Sequence, residues 1–178
     1  MNTRYVLLIH AGCEDIVPKK FTSEEEQEHL DTLNQSLKAG LSVLEADGQA
    51  VDAVQCAVVV LEDSPLFNAG RGSVFTHEGK NEMDASIMDG QNLQAGAVAG
   101  ITGIKNPVCA ARMVMDRSAH VLLIGQGAEA FAREQGLELM DAQYFQTPRR
   151  WEEYVQATGK CGQDRATMAG SGKLGTVG

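Results

Sequence analysis

Two stretches of alternating residues on either side of a turn constrain this chain most. Met83, Ala85 and Ile87 alternate with Glu82, Asp84 and Ser86, and Leu93, Ala95, Ala97, Ala99 and Ile101 alternate with Gln94, Gly96, Val98 and Gly100. A period of two sends successive side chains to opposite faces of a strand. Asp89-Gly90-Gln91-Asn92 between them is turn chemistry. The pattern predicts an antiparallel hairpin with small residues inside, against which another layer can pack closely. Asp84 and Asp89 look like an acid/base pair. On a hairpin beside a turn their expected use is to hydrogen-bond backbone.

Helical signals flank this hairpin. Thr22-Ser23-Glu24-Glu25-Glu26 reads as a helix start, with Thr22/Glu25 or Ser23/Glu26 as a capping box. Leu30, Leu33, Leu37, Leu41 and Leu44 then recur at three- and four-residue steps, and Gly48 ends the run. A second helix is expected from Ala50 to Asp63, with Val51, Val54, Val58 and Leu61 on one face. Asn106-Pro107 supplies an N-cap and a first-turn proline for a helix facing inward through Val108, Ala111 and Met115. His120 to Gly125 reads as a strand, Gly127 to Gly136 as a helix ending on a C′ glycine, and Arg149 to Ala157 as a last helix. Short strands are also expected at Arg4–His10 and Ser73–Thr76. Sustained βαβ alternation is missing, so the expected class is an α+β layered sandwich and not a doubly wound parallel sheet.

Composition narrows the function classes. The 178 residues are 43% hydrophobic and 22% charged, which fits one globular domain with a core. The formal net charge of -9 argues against a nucleic-acid or anionic-membrane partner. Tyr5-Val6-Leu7-Leu8-Ile9 is too short for a signal segment or a span, so a cytoplasmic location is expected. Cys13, Cys56, Cys109 and Cys161 form no CxxC pair and read as ordinary reduced thiols. Gly170-Ser171-Gly172-Lys173 lacks the earlier glycine and following helix of a phosphate loop, and Gly70-Arg71-Gly72 lacks the third glycine of a dinucleotide turn. Residues 1–157 form the expected domain part. Residues 158–173, rich in Gly, Ser, Thr and charge, read as a flexible linker, and residues 174–178 as an apolar tip.

Five stretches, in order, resemble the plant-type L-asparaginase and isoaspartyl aminopeptidase family of N-terminal-nucleophile hydrolases. They are Ile9-His10-Ala11-Gly12, the run Pro65-Leu66-Phe67-Asn68-Ala69-Gly70-Arg71-Gly72, the hairpin Glu82–Gly90 with Ala95–Gly100, Asn106-Pro107 with Ala110-Ala111-Arg112, and Gly175-Thr176-Val177-Gly178. The resemblance implies an αββα four-layer sandwich of which this chain is the N-terminal half, an α subunit. It implies a precursor cut after Gly178, so that a Thr begins a separate β chain and becomes the nucleophile. The expected reaction is hydrolysis of β-aspartyl dipeptides and L-asparagine to L-aspartate, by an (αβ)2 heterotetramer that needs no organic cofactor and takes a small-molecule substrate. Another threonine-nucleophile hydrolase, such as an aspartylglucosaminidase or a threonine endopeptidase, and an unprocessed relative with a binding role, are the alternatives.

The resemblance also assigns residues. Gly178 supplies the scissile carbonyl, Asn68 supports the nucleophile's surroundings, and Gly12 brings backbone near the site. Read from the residues alone, Asn68 is a turn cap before Gly70, and His10 is hydrogen-bonded structure. Backbone carbonyls of Leu61, Glu62, Ser64, Phe67, Ala69 and Arg71 match a structural sodium loop, although a Pro/Gly-rich loop without an ion fits the same letters. Where relatives carry His-Gly-Gly, this chain has His10-Ala11-Gly12. If Ala11 had to take positive φ, its Cβ would add a cost to processing.

Overall fold

The computed structural model describes residues 5–12 and 21–159. The sheet is built on the expected hairpin. Strand β1 (Met83–Met88) pairs antiparallel with β2 (Ala95–Ile101), and β2 pairs parallel with β3 (Leu122–Ile124). The expected strand at Leu93 starts two residues later. Leu93 sits at φ 63° and is 71% exposed, and Asp89 N–H closes the turn on the Gln94 carbonyl at 2.8 Å.

A β-bulge decides which face of β2 is buried. Ala85 pairs with Val98 but Met83 pairs with Ile101, so Ala99 and Gly100 both lie opposite Asp84. Gly100 takes φ +60°, and its N–H donates to Asp84 Oδ1 at 2.7 Å. The extra residue switches parity along the strand. Gly96, Val98 and Ile101 are buried, while Ala95, Ala97 and Ala99 are only half-buried on the opposite face. The expected inner set of alternate alanines is therefore corrected. Asp84 and Asp89 hydrogen-bond backbone as anticipated, Asp89 Oδ1 accepting from Gln91 N–H at 2.9 Å.

Helix α3 (Pro107–Arg117) packs across the buried sheet face, and Gly96 is where it comes closest: a Cβ there would lie 2.1 Å from the Ala111 carbonyl oxygen. The α3 core residues are Val108, Ala110, Ala111 and Val114, with Met115 partly buried. Helix α4 (Gly125–Glu134) adds Ala128 and Ala132. It ends in a Schellman motif, Leu137 N–H reaching the Ala132 carbonyl and Gly136 N–H the Arg133 carbonyl, both at 3.0 Å, with Gly136 at φ +77°.

Helices α1 (Ser23–Glu45) and α2 (Ala50–Asp63) form an antiparallel-style pair at the edge of this core. Thr22 and Glu25 make the capping box. Asp47, not Gly48, takes the left-handed position after α1, at φ 58°. The leucine stripe is not what α1 buries most deeply, Leu33, Leu37 and Leu44 being half-buried. Ser36 and Gly40 are the buried α1 residues, and Leu30 and Leu41 stay exposed. Gly40 is required by proximity, since a Cβ would lie 2.7 Å from the Ala53 carbonyl oxygen. On α2 the buried residues are Val51, Ala53, Ala57, Leu61 and Glu62; of the expected face, Val51 and Leu61 are buried, Val58 packs partly buried against the core, and Val54 is exposed.

Three further expectations are corrected. Residues 5–12 carry no strand, and Val6 and Leu8 are 83% and 84% exposed. A lone extended segment gains no ladder hydrogen bonds, whatever its β-propensity. Ser73–Thr76 is not a strand either. Gly70–Gly72 forms a 3-10 turn, followed by a single Phe75–Asn81 bridge. Helix α6 spans Pro148–Thr158, capped by the Thr147 side chain and closed by left-handed Gly159, after a short α5 (Ala142–Phe145). Thr158, expected in the linker, thus belongs to a helix. The rest of the linker and the tip 174–178, Gly178 included, lie outside the described residues, as do Cys13 and Cys161. No helix of the described residues is long and apolar enough to cross a membrane.

Candidate functional site

The candidate site is the loop that leaves α2 and returns through the 3-10 turn. Pro65 stops the helix by forcing Ser64 into the extended region, φ -84° and ψ 137°. The last turn of α2 then does something its sequence does not advertise. Glu62 is 3% exposed, and its Oε1 accepts the Val108 N–H at 2.9 Å. Val108 is the second residue of α3, so Glu62 caps the positive end of that helix from 46 residues away. Asn106, the expected cap, makes no capping bond and instead donates to Asp63 Oδ1 at 3.0 Å.

The other Glu62 oxygen, Oε2, is buried and without a partner among the described residues. Burial pushes the Glu62 carboxyl up to about 8, against the opposing pull of the Val108 N–H and the nearby Asn106 amide.

The loop is folded tightly around its own carbonyls. A Cβ on Gly70, at φ +50°, would stand 2.3 Å from the Glu62 carbonyl oxygen, and one on Gly72 would stand 2.1 Å from that of Phe67. Only glycine fits at either position. The Leu61, Phe67 and Ala69 carbonyls accept from Ser64, Ala69 and Gly72 N–H at 3.3, 2.9 and 3.0 Å. Each keeps a second lone pair. This crowding of main-chain oxygens, in a cradle any side chain would fill, fits a hard monovalent cation held by oxygen. Among the described residues no group of three or more His, Cys, Asp or Glu could hold a metal, so backbone oxygens are what this loop has to offer. Arg71 directs its guanidinium away, over the Tyr144 ring at 5.5 Å.

Asn68 is exposed on this loop. Its Oδ1 accepts the Val74 N–H at 3.0 Å and ties the two ends of the 3-10 turn together. The turn-cap reading is therefore realised geometrically, and the Asn68 amide N–H2 has no hydrogen-bond partner among the described residues. Phe67 anchors the loop from below: it is buried, its ring 5.5 Å from that of His29, which in turn meets Phe21 at 5.0 Å.

Residues 7–10 run beside α2. Leu7, Leu8, Ile9 and His10 line a cavity of about 130 Å³ with Val58 and Leu61, so the His10 segment reaches the start of the loop. Gly12 takes φ +148°, a conformation that favours glycine. Ala11 is not among the residues at positive φ. In this structure the positive φ lies at Gly12 and not at Ala11. No hydrogen bond joins Gly12 or His10 to Asn68 among the described residues.

Two structural partners of the loop escaped sequence reasoning. Arg150 of α6 is buried, and its Nε donates to the Gly72 carbonyl at 2.7 Å while Nη1 pairs with Glu153 at 2.7 Å. Asn81 donates to the Ser73 and Val74 carbonyls at 2.8 and 3.3 Å. Thr147-Pro148 signals the helix carrying Arg150, but no local signal says that its guanidinium reaches back 78 residues.

A family model described as asparaginase matches residues 3–178. The chain is 43% identical over 177 residues to an isoaspartyl peptidase of Salmonella typhimurium, covering 97% of this chain and 56% of that protein. It is 41% identical over 177 residues to the isoaspartyl peptidase of Escherichia coli, covering 97% and 55%. It is 45% identical over 152 residues to a plant-type L-asparaginase of Pyrococcus abyssi, covering 83% and 47%. The chain thus spans about half the length of the curated relatives it matches. With a family match along nearly its whole length, this chain belongs to the asparaginase family.

Proposed function

We propose that this chain is the α-subunit part of a threonine-nucleophile amidohydrolase that releases L-aspartate from β-aspartyl dipeptides and L-asparagine. The observation that carries the reading is the family match over residues 3–178, with relatives named isoaspartyl peptidase and plant-type L-asparaginase.

In this reading the precursor folds as an αββα sandwich. The helices described above form one outer layer. The sheet face carrying Asp84, Ser86, Ala97, Ala99 and Leu122, which opens onto a hollow of about 430 Å³, takes the second sheet. Small side chains there support a close approach.

A Thr following Gly178 attacks the Gly178 carbonyl through its hydroxyl. The acyl group moves from nitrogen to oxygen, and water hydrolyses the ester. The products are a Gly178 carboxylate and a Thr with a free amine, which then serves as base for its own hydroxyl. In turnover that hydroxyl attacks the side-chain amide carbonyl of the substrate, ammonia or an amino acid leaves, and water releases aspartate from the ester. Hydrogen-bond donors stabilise the oxyanion. Asn68 supports this centre through its free amide N–H2, and Gly12 through its backbone.

The carbonyls of Leu61, Glu62, Ser64, Phe67, Ala69 and Arg71 would hold a structural sodium ion that fixes the loop behind Asn68. The assembly is read as a cytoplasmic (αβ)2 heterotetramer with no organic cofactor.

Intact mass spectrometry of the full-length gene product, with N-terminal sequencing, tests the processing step. Two fragments are expected, the second beginning with Thr. An unbroken polypeptide after prolonged incubation defeats it. Aspartate release from β-aspartyl-leucine and asparagine tests the substrates, and its absence from a correctly processed protein defeats that assignment in favour of another threonine-nucleophile hydrolase.

A further inference from the structure

The chain contains two Asp-Gly sequences, Asp47-Gly48 and Asp89-Gly90, and no Asn-Gly. An Asp-Gly bond can rearrange when the glycine nitrogen attacks the aspartyl side-chain carbonyl. Glycine favours this because no side chain hinders the nitrogen and its backbone is free to turn. The two sites differ in what the fold does with the attacking nitrogen.

Gly48 N–H is held by the Val43 carbonyl at 2.8 Å, as the closing bond of the α1 terminus. Asp47 is fixed at φ 58°, and its own N–H bonds the Leu44 carbonyl at 3.1 Å. A Cβ on Gly48 would lie 2.5 Å from the Val43 side chain, so this exposed glycine is crowded by the helix end as well as bonded to it. This nitrogen cannot swing onto a side chain without breaking the helix end.

At the hairpin tip the opposite holds. Both glycines are exposed, but at Gly90 a Cβ would meet nothing within 4 Å, and its N–H has no hydrogen-bond partner among the described residues. The Asp89 side chain is already folded forward over the next peptide unit, because Oδ1 accepts the Gln91 N–H at 2.9 Å. Asp89 N–H and C=O are tied to Gln94 and Leu93, both at 2.8 Å, which holds the Asp89–Gly90 peptide plane in place beside the folded-forward side chain, while the Gly90 N–H itself carries no bond among the described residues that attack would have to break.

We propose that Asp89 is a spontaneous modification site at which the folded protein forms isoaspartate, while Asp47 is protected by its helix terminus. Gly90 nitrogen bonds to Asp89 Cγ. The carboxylic acid hydroxyl and the nitrogen's proton leave together as water, giving a succinimide. Water then adds to one of the two ring carbonyls. Opening at the α-carbonyl yields isoaspartate, and opening at the β-carbonyl restores aspartate. No oxidant or catalyst enters, and the net mass is unchanged. The β-linked product adds one backbone carbon between the two closing hydrogen bonds of the hairpin, so the Leu93 bond to the Asp89 carbonyl must shift. The inference is independent of the proposed hydrolase activity.

The test is incubation of the full-length protein in water enriched in heavy oxygen, followed by tryptic digestion and electron-transfer fragmentation. The Asn81–Lys105 peptide isolates Asp89-Gly90, and the Ala39–Arg71 peptide isolates Asp47-Gly48. IsoAsp89 is expected to accumulate several-fold faster than isoAsp47, with one solvent oxygen in each molecule that has turned over. Gly90→Ala should slow it several-fold without moving the melting temperature. The same two peptides, free in solution, should react at similar rates. No isoAsp89 in the folded protein while the free peptide reacts, or equal rates at the two folded sites, overturns the proposal.

Discussion

Glu62 offers the sharpest check on the loop's energetics. Its carboxyl is 3% exposed, one oxygen caps α3 through Val108 and the other has no partner among the described residues. With the group pushed up to about 8, the folded protein holds a proton there that the unfolded chain has already lost. The sign follows from proton counting. Between the ordinary carboxyl range and about 8 the folded state binds more protons, so stability falls as pH rises across that window. Each unit of pH there costs about 1.4 kcal/mol, and the total is on the order of a few kcal/mol.

Glu62→Gln keeps the shape and the acceptor for Val108 N–H but cannot ionise. It should cost under about 1 kcal/mol at pH 6, where the native group is itself neutral. It should also become the more stable protein by pH 8.5. Glu62→Ala removes the cap and leaves a void, and should cost about 2–3 kcal/mol at pH 6; since Ala cannot ionise either, that cost should shrink towards zero by pH 8.5. Urea denaturation of the full-length protein in sodium-free buffer between pH 5 and 9 reads the difference. Parallel pH profiles for the native protein and the Gln variant would refute the reasoning.

Three further outcomes follow from the same contacts. Gly96→Ala drives a methyl to 2.1 Å from the Ala111 carbonyl oxygen and should destabilise by about 3 kcal/mol or more, seen as a clear drop in melting temperature. Arg150→Met frees the Gly72 carbonyl and leaves it buried without its donor, which should cost about 2–3 kcal/mol in urea midpoint analysis. It should also loosen the loop in hydrogen exchange at Ser73 and Val74. Thr22→Ala removes one half of the capping box at the exposed start of α1, a loss of about 1 kcal/mol by thermal melting, with no change in loop protection.

Short-range chemistry was readable from the sequence because it is complete within a few residues. Thr22 and Glu25 cap each other across three positions, Pro107 starts α3, and Gly136 closes α4 wherever those helices are placed. The hairpin, and the use of Asp84 and Asp89 as backbone acceptors, follow from alternation and turn residues in the same way. The order of the Pro65–Gly72 and Asn106-Pro107 motifs was enough to indicate the family. Tertiary structure decided what depends on distant partners. The inner face of β2 turns on one extra residue opposite Asp84, and a single-residue slip exchanges the two faces of a strand. The Leu30–Leu44 stripe has the period of a packed helix, yet Ser36 and Gly40 are the residues α1 buries fully, since only a small residue at Gly40 lets α1 approach the Ala53 backbone. Tyr5–Ile9 has the composition of a strand, but a strand exists only where another strand completes its hydrogen bonds. Glu62 and Arg150 are charged letters in helices, and what they do is set by an N–H and a carbonyl 46 and 78 residues away.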